Sequence, residues 1–133
     1  MSEENVELAR HYFEALNAEG FNGAQHLRHP DIEFFDPPNL PDADRHVGEA
    51  AYLERAESFL EVGWDGHFRV EECLDAGEEV VVIWEARARS LHGGGLPLDM
   101  TIADVLLFEG GKLRRVRAYT SRAEALETAG LRE

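Results

Sequence analysis

An α+β fold, with a curved antiparallel sheet wrapped around N-terminal helices, is what this sequence predicts. Three observations point there. Apolar residues recur at helical spacing near the N-terminus and again just after residue 48. The second half carries long strand-like runs joined by glycine-bearing turns. The order is helix, helix, strand, helix, then four antiparallel strands, which places helices on one face of the sheet. A sheet curled in this way makes a cone-shaped α+β barrel, and its open end is a natural apolar pocket.

Each element has a local reason. Ser2 is followed by Glu3 and Glu4, an acidic first turn that suits the positive end of a helix dipole. Val6, Ala9, Phe13 and Leu16 follow at helical spacing, with Leu8 and Tyr12 widening the stripe. "AEGFNG" stops that helix. A short helical turn at 24–27 ends before His29-Pro30. "DIEFFDPP" reads as a short strand, and pairing must end near Asp36 because Pro37 and Pro38 cannot donate to a ladder. "NLPDADRHVG" reads as a polar loop. From Gly48, the residues Tyr52, Leu53, Ala56, Phe59 and Leu60 make a second amphipathic helix, broken by Gly63 and the "DG" at 65–66.

Strands are expected at 67–76, 79–91, 97–109 and 112–119, joined through "AGEE", "HGGGLP" and "EGGK". The chain closes on a small helix: Ser121 and Glu124 form a capping box, and Gly130 with Leu131 forms a C-terminal stop. Without repeats, linkers or low-complexity tracts, residues 1–133 are expected to form a single domain.

Composition narrows the function. The chain has 44% hydrophobic residues, a globular composition, and 27 acids against 13 Lys plus Arg, for a formal charge of −14. That sign disfavours nucleic acid and membrane surfaces as partners. One cysteine, Cys73, excludes an intramolecular disulfide and a cysteine-based zinc site, and it reads as a packing residue. The acidic N-terminus is unlike a signal peptide and no run is apolar enough to span a membrane, so a cytoplasmic location is expected.

One residue resists a purely structural account. At period two, Leu98, Met100, Ile102, Asp104, Leu106 and Phe108 share a strand face, and Asp104 is the one carboxylate among them. It must be paired, hydrogen-bonded or protonated to sit there. Arg115 or Arg117 on the neighbouring strand is one candidate partner. The alternative is an apolar surrounding that raises its pKa and makes it a neutral donor. Val105 and Leu107 are apolar too, so the register decides which way Asp104 faces.

The layout, with "HYFEALNAEGFNG", "IEFFDPP", "ADVLLFEGGKLRRVRAY" and the ending "EALETAGL", resembles the nuclear-transport-factor-2-like superfamily across nearly the whole chain. Its SnoaL-like and ketosteroid isomerase-like members are the nearest in pattern. The resemblance implies a cofactor-independent isomerase or cyclase that abstracts a proton next to a carbonyl of a small apolar cyclic substrate. It also implies a homodimer. Carried over by motif, it makes Asp36 in "FFDPP" the base, partly solvated and mobile, with Tyr12 and protonated Asp104 as oxyanion donors. The same cone also serves proteins that only bind an apolar ligand, and epoxide hydrolases or dehydratases that activate water beside an Arg or His.

Other patterns carry less. Asp36 before Pro37 is also a common turn start, and Tyr12 on an apolar stripe is also a core residue. Phe34, Trp84, Met100, Ile102 and Tyr119 are core or pocket lining. Of six histidines, none sits in a metal-binding spacing; His26 and His29 flank a helix end, and His46 lies in the loop over the pocket mouth. No metal or other cofactor is expected. "HGGG" at 92–95 lacks the serine elbow of a lipase and reads as a hairpin turn. Arg114, Arg115 and Arg117 are expected to form cross-strand ion pairs with the strand that carries Glu85, Arg87 and Arg89.

Overall fold

The computed structural model describes residues 2–89 and 97–131, so the turn at "HGGG", with Ser90 and His92, lies outside the described residues. Helix α1 covers Ser2–Gly23 and bends at Gly20, whose φ of 77° and ψ of −179° only glycine adopts readily. The bend sits inside the "AEGFNG" stop signal. A single 3₁₀ turn at Gln25–Leu27 then leads into β1, Arg28–Phe35.

The remaining elements are β2 (Arg45–Val47), α2 (Glu49–Glu61), β3 (Arg69–Ala76), β4 (Glu79–Arg89), β5 (Pro97–Glu109), β6 (Lys112–Tyr119) and α3 (Arg122–Thr128). They form one six-stranded sheet in the order β2-β1-β6-β5-β4-β3. No helix is long and apolar enough to cross a membrane among the described residues.

Two features differ from the sequence expectation. The sheet is mixed, because β1 runs parallel to β6 and the other pairings are antiparallel. Only residues far apart in the chain form that parallel contact, so no hairpin signal announces it. The register of β1 against β6 shifts between Arg28 and Glu33, where Pro30 can offer no N–H. Strand β2 is the second difference. Residues 45–47 leave the expected polar loop to pair with β1, matching His46 with Phe34.

The sheet is covered unequally on its two faces. On one side α1 and α2 pack against Ile32, Val80, Val82, Trp84, Leu106 and Val116, with Tyr12, Phe13 and Leu16 supplied by α1. Alternate residues, Val81, Ile83, Ala103 and Val105, face the other way and are met by Ala125 and Leu126 of α3. Period-two alternation sends successive residues of β5 to opposite clusters. Asp104 therefore falls on the helix-covered face, in step with Ile102 and Leu106.

Helix α3 has the serine N-cap and the glycine stop its sequence encodes, with the Ser121 half of the capping box formed. Ser121 accepts from the Glu124 N–H at 3.2 Å. At the other end Leu131 N–H donates to the Leu126 carbonyl at 2.7 Å and Gly130 N–H to that of Glu127, with Gly130 at φ 80°. This is a glycine-terminated Schellman stop, and Leu131 packs back on the cluster containing Leu126.

Candidate active site

Asp104 lies at the centre of β5 with 6% of its surface accessible. Its hydrogen bond among the described residues comes from Trp84 Nε1–H, which donates to Oδ2 at 2.8 Å across the β4–β5 pairing. The two arginines named as candidate partners do not pair with it: Arg115 and Arg117 donate instead to Glu79, at 3.2 and 2.8 Å. The strand that carries Glu85 is not the neighbour of β6, since β5 lies between them. The register puts Glu79 and Arg115 on either side of Leu107, while Glu85 pairs with Thr101, beyond the end of β6. Burial pushes the Asp104 carboxyl up to about 7, outweighing the Trp84 hydrogen bond, which acts to lower it.

Tyr12 projects from α1 into the same interior and is 2% exposed. Its hydroxyl lies 2.7 Å from that of Tyr52 on α2. Arg28 Nη1 donates to the Tyr12 oxygen at 3.1 Å. The guanidinium is held in turn by Glu49, through Nε at 2.8 Å and Nη2 at 2.6 Å, and by the Phe21 carbonyl at 2.6 Å. It also lies 4.8 Å over the Tyr52 ring. Burial raises both phenols above their ordinary range, and the Asp104 charge is close enough to raise Tyr52 further.

Asp36 stands in a setting unlike the mobile, half-solvated base expected of it. Its side chain is 1% exposed and both oxygens are engaged. Arg55 Nε donates to Oδ1 at 2.8 Å, while His46 Nε2 and the Asp44 N–H approach Oδ2 at 3.0 and 3.1 Å. Burial alone would raise its pKa, but the hydrogen bonds from His46, Arg55 and Asp44 outweigh it and hold the carboxyl below its usual value. Pairing of β1 with β2 runs to Phe35 and Arg45, and the Asp36 N–H then donates to the Asp44 carbonyl at 3.1 Å, which sets Asp36 beside His46. Arg55 is steadied by the Phe59 ring, whose centre lies 4.4 Å from the guanidinium carbon.

The expected lining residues divide. Phe34 sits between the two polar groups, 6.1 Å from the His46 ring and 6.2 Å from that of Tyr52. Trp84 and Ile102 belong to the interior cluster. Met100 shares their face but is 50% exposed, at the outer part of β5. Tyr119 does not line the interior. It pairs with Ala103, faces α3, and accepts a hydrogen bond from Thr128 Oγ1 at 3.1 Å.

Sequence reasoning missed Tyr52, Arg28 and Arg55 as site residues, and left His46 without a partner. Tyr52 and Arg55 fit an amphipathic helix and Arg28 a helix–strand junction, so nothing local marks them. Two open surface clefts of about 510 and 490 Å³ lie away from Asp36 and Asp104. The second is bordered by His26, Pro30, Glu49 and Lys112 and reaches Arg28. Among the described residues, no group of three or more His, Cys, Asp or Glu side chains is placed to hold a metal ion.

Residues 9–116 match the model of the SnoaL-like domain, and the chain belongs to that family. Solved structures of the same shape include an NTF2-like protein of Burkholderia pseudomallei, with a TM-score of 0.73, 17% identity and coverage of 93% of this chain and 95% of that one. A proposed ketosteroid isomerase of Kribbella flavida superposes with a TM-score of 0.70 at 23% identity, covering 92% and 81% of the two chains. A proposed SnoaL-like polyketide cyclase of Mesorhizobium loti gives 0.68 at 19% identity, covering 85% and 96%. At these identities the likeness establishes the NTF2-like fold. No protein of curated function matches the sequence.

Proposed function

We propose that this protein is a cofactor-independent enzyme that moves a proton next to a carbonyl of a small apolar cyclic substrate, with His46 as the base and Asp36 as its positioning residue. One observation carries this reading: the Asp36 carboxylate is already saturated by Arg55, Asp44 and His46, while His46 keeps 23% of its side chain accessible. An ionised Asp36 accepts from His46 Nε2–H, which leaves Nδ1 bare as a proton acceptor. Nδ1 takes the proton from carbon, and the electron pair moves onto the carbonyl oxygen. The resulting enolate oxygen accepts hydrogen bonds from the tyrosine pair and from neutral Asp104. Where a β,γ C=C bond of the substrate conjugates with the enolate, return of the proton from Nδ1 to the γ-carbon of the dienolate moves that double bond and completes an isomerisation. A positioned histidine of this kind contributes about 10²–10⁴ in rate.

The experiment is exchange of α-hydrogens for deuterium in small cyclic ketones, followed by NMR. Wild type is expected to catalyse exchange, and His46→Asn and Asp36→Asn to lose about 10²-fold or more. Exchange undiminished in His46→Asn overturns the assignment. The rate is expected to fall as pH rises through about 7, where Asp104 ionises and stops donating, and Asp104→Asn is expected to lose that alkaline limb. An Arg and a His beside Asp36 also suit a base that activates water. Incorporation of ¹⁸O from water into an epoxide or enone, without ketone exchange, would select hydrolase or dehydratase chemistry. Ligand binding with neither reaction would select a binding protein.

A further inference from the structure

The buried tyrosine pair holds one proton too many. Tyr12 and Tyr52 carry two O–H donors, and only one can lie between oxygens 2.7 Å apart. Arg28 has no acceptor atom, so its contact with Tyr12 is a donation into the Tyr12 oxygen. Whichever phenol donates to the other, one hydroxyl proton remains without an acceptor among the described residues. Both residues are buried, where such a donor is costly to leave unsatisfied.

Arg28 also decides which proton is left over. A cation donating to the Tyr12 oxygen withdraws electron density and strengthens the Tyr12 O–H as a donor. Tyr12 then donates to Tyr52, and the surplus proton belongs to Tyr52. Glu49 and the Phe21 carbonyl hold the guanidinium through Nε and Nη2, leaving Nη1 for Tyr12, so the polarity of the chain is built in. Tyr52 keeps 7% of its surface accessible and lies near Phe34, which also neighbours the His46 ring.

We propose that Arg28 is a positioning residue that directs the Tyr12–Tyr52 hydrogen bond, so that Tyr52 is the terminal donor to a carbonyl or phenolate oxygen of the ligand. This deepens the proposed function and rests on its premise of an oxygen-bearing ligand in the cone. It reverses the role that family resemblance assigns to Tyr12, which becomes the relay.

The test uses 4-nitrophenol, whose phenolate absorbs at longer wavelength than the neutral phenol, in buffer acidic enough to keep the free probe mostly neutral. Wild type is expected to bind it with the phenolate fraction raised about ten-fold or more over free probe. Tyr52→Phe is expected to abolish the shift, whereas Tyr12→Phe retains part of it because the Tyr52 hydroxyl remains. Arg28→Lys, which keeps the charge, is expected to weaken the shift less than Arg28→Met. The reverse order of the two tyrosine variants, or a probe that wild type does not bind, overturns the proposal. The outcome is separable from that of the ketone assay, because 4-nitrophenol has no hydrogen next to a carbonyl for a base to remove and its shift reads hydrogen-bond donation alone. A shift without exchange sinks only the enzymatic reading. Exchange with the tyrosine order reversed sinks only the ordering of the Arg28–Tyr12–Tyr52 chain.

Discussion

Asp104 ionises within a sheet face built of hydrocarbon, and this couples its protonation to folding. Its carboxyl in the folded chain titrates near 7, above the value of an exposed aspartate, so the folded state holds a proton that the unfolded state releases. The stability from this group is complete below the unfolded carboxylate's pKa and is lost as pH rises through about 7. The gap corresponds to at most roughly 4 kcal/mol. Asp104→Asn keeps an acceptor for Trp84 and has no charge to bury. It is expected to be more stable than wild type by up to that amount at mildly alkaline pH, with the two converging below about pH 4. Urea midpoints at both pH values measure the difference; equal midpoints throughout would mean that Asp104 is not held in an apolar setting. Asp36 works in the opposite sense. Its pKa is lowered, so its contribution is present above the unfolded value and is lost on acidification.

Helix α3 is only seven residues long, too short to persist without its ends and its packing. Ser121→Ala removes the acceptor of the Glu124 N–H and is expected to cost about 1 kcal/mol. Gly130→Ala places a Cβ on a residue at φ 80° and is expected to cost a similar amount, about 1 kcal/mol. The two positions share no partner, so the double variant is expected to lose about the sum in denaturant melts. These ends were legible because a cap needs only residues three to five apart. Strand faces were harder to read. Alternation placed Ile102, Asp104 and Leu106 together, yet Val105 is just as apolar, and only α3 shows that Val105 is covered from the other side. The face Tyr119 takes was hidden for the same reason: it depends on the register of β6 against β5, which pairs it with Ala103.

The whole molecule carries a formal charge of −14, with 27 acids against 13 Lys plus Arg, so acids outnumber the cations that could pair with them. Repulsion among exposed carboxylates opposes compaction, and salt screens it over a Debye length of about 8 Å at 0.15 M. The melting temperature is therefore expected to rise from about 0.01 M to about 0.15 M salt. A fall would mean that the Glu33 and Glu79 pairs with Arg114, Arg115 and Arg117 outweigh the repulsion.

By itself, the sequence determined the order of the helices and of every strand but β2, the ends of α3, the α+β class and the presence of a carboxylate on an apolar strand face. These depend on periodicity, glycine and proline conformations, and charge, all of which act over a few residues. Tertiary structure alone decided that β1 lies parallel to β6, that β2 carries His46 to Asp36, and that Arg55 closes on the same carboxylate from α2. It also joined Arg28, Tyr12 and Tyr52 from three separate elements. Such meetings follow from sheet register and helix packing, where the partners are set by the shape of the whole core and leave no mark in the residues beside them.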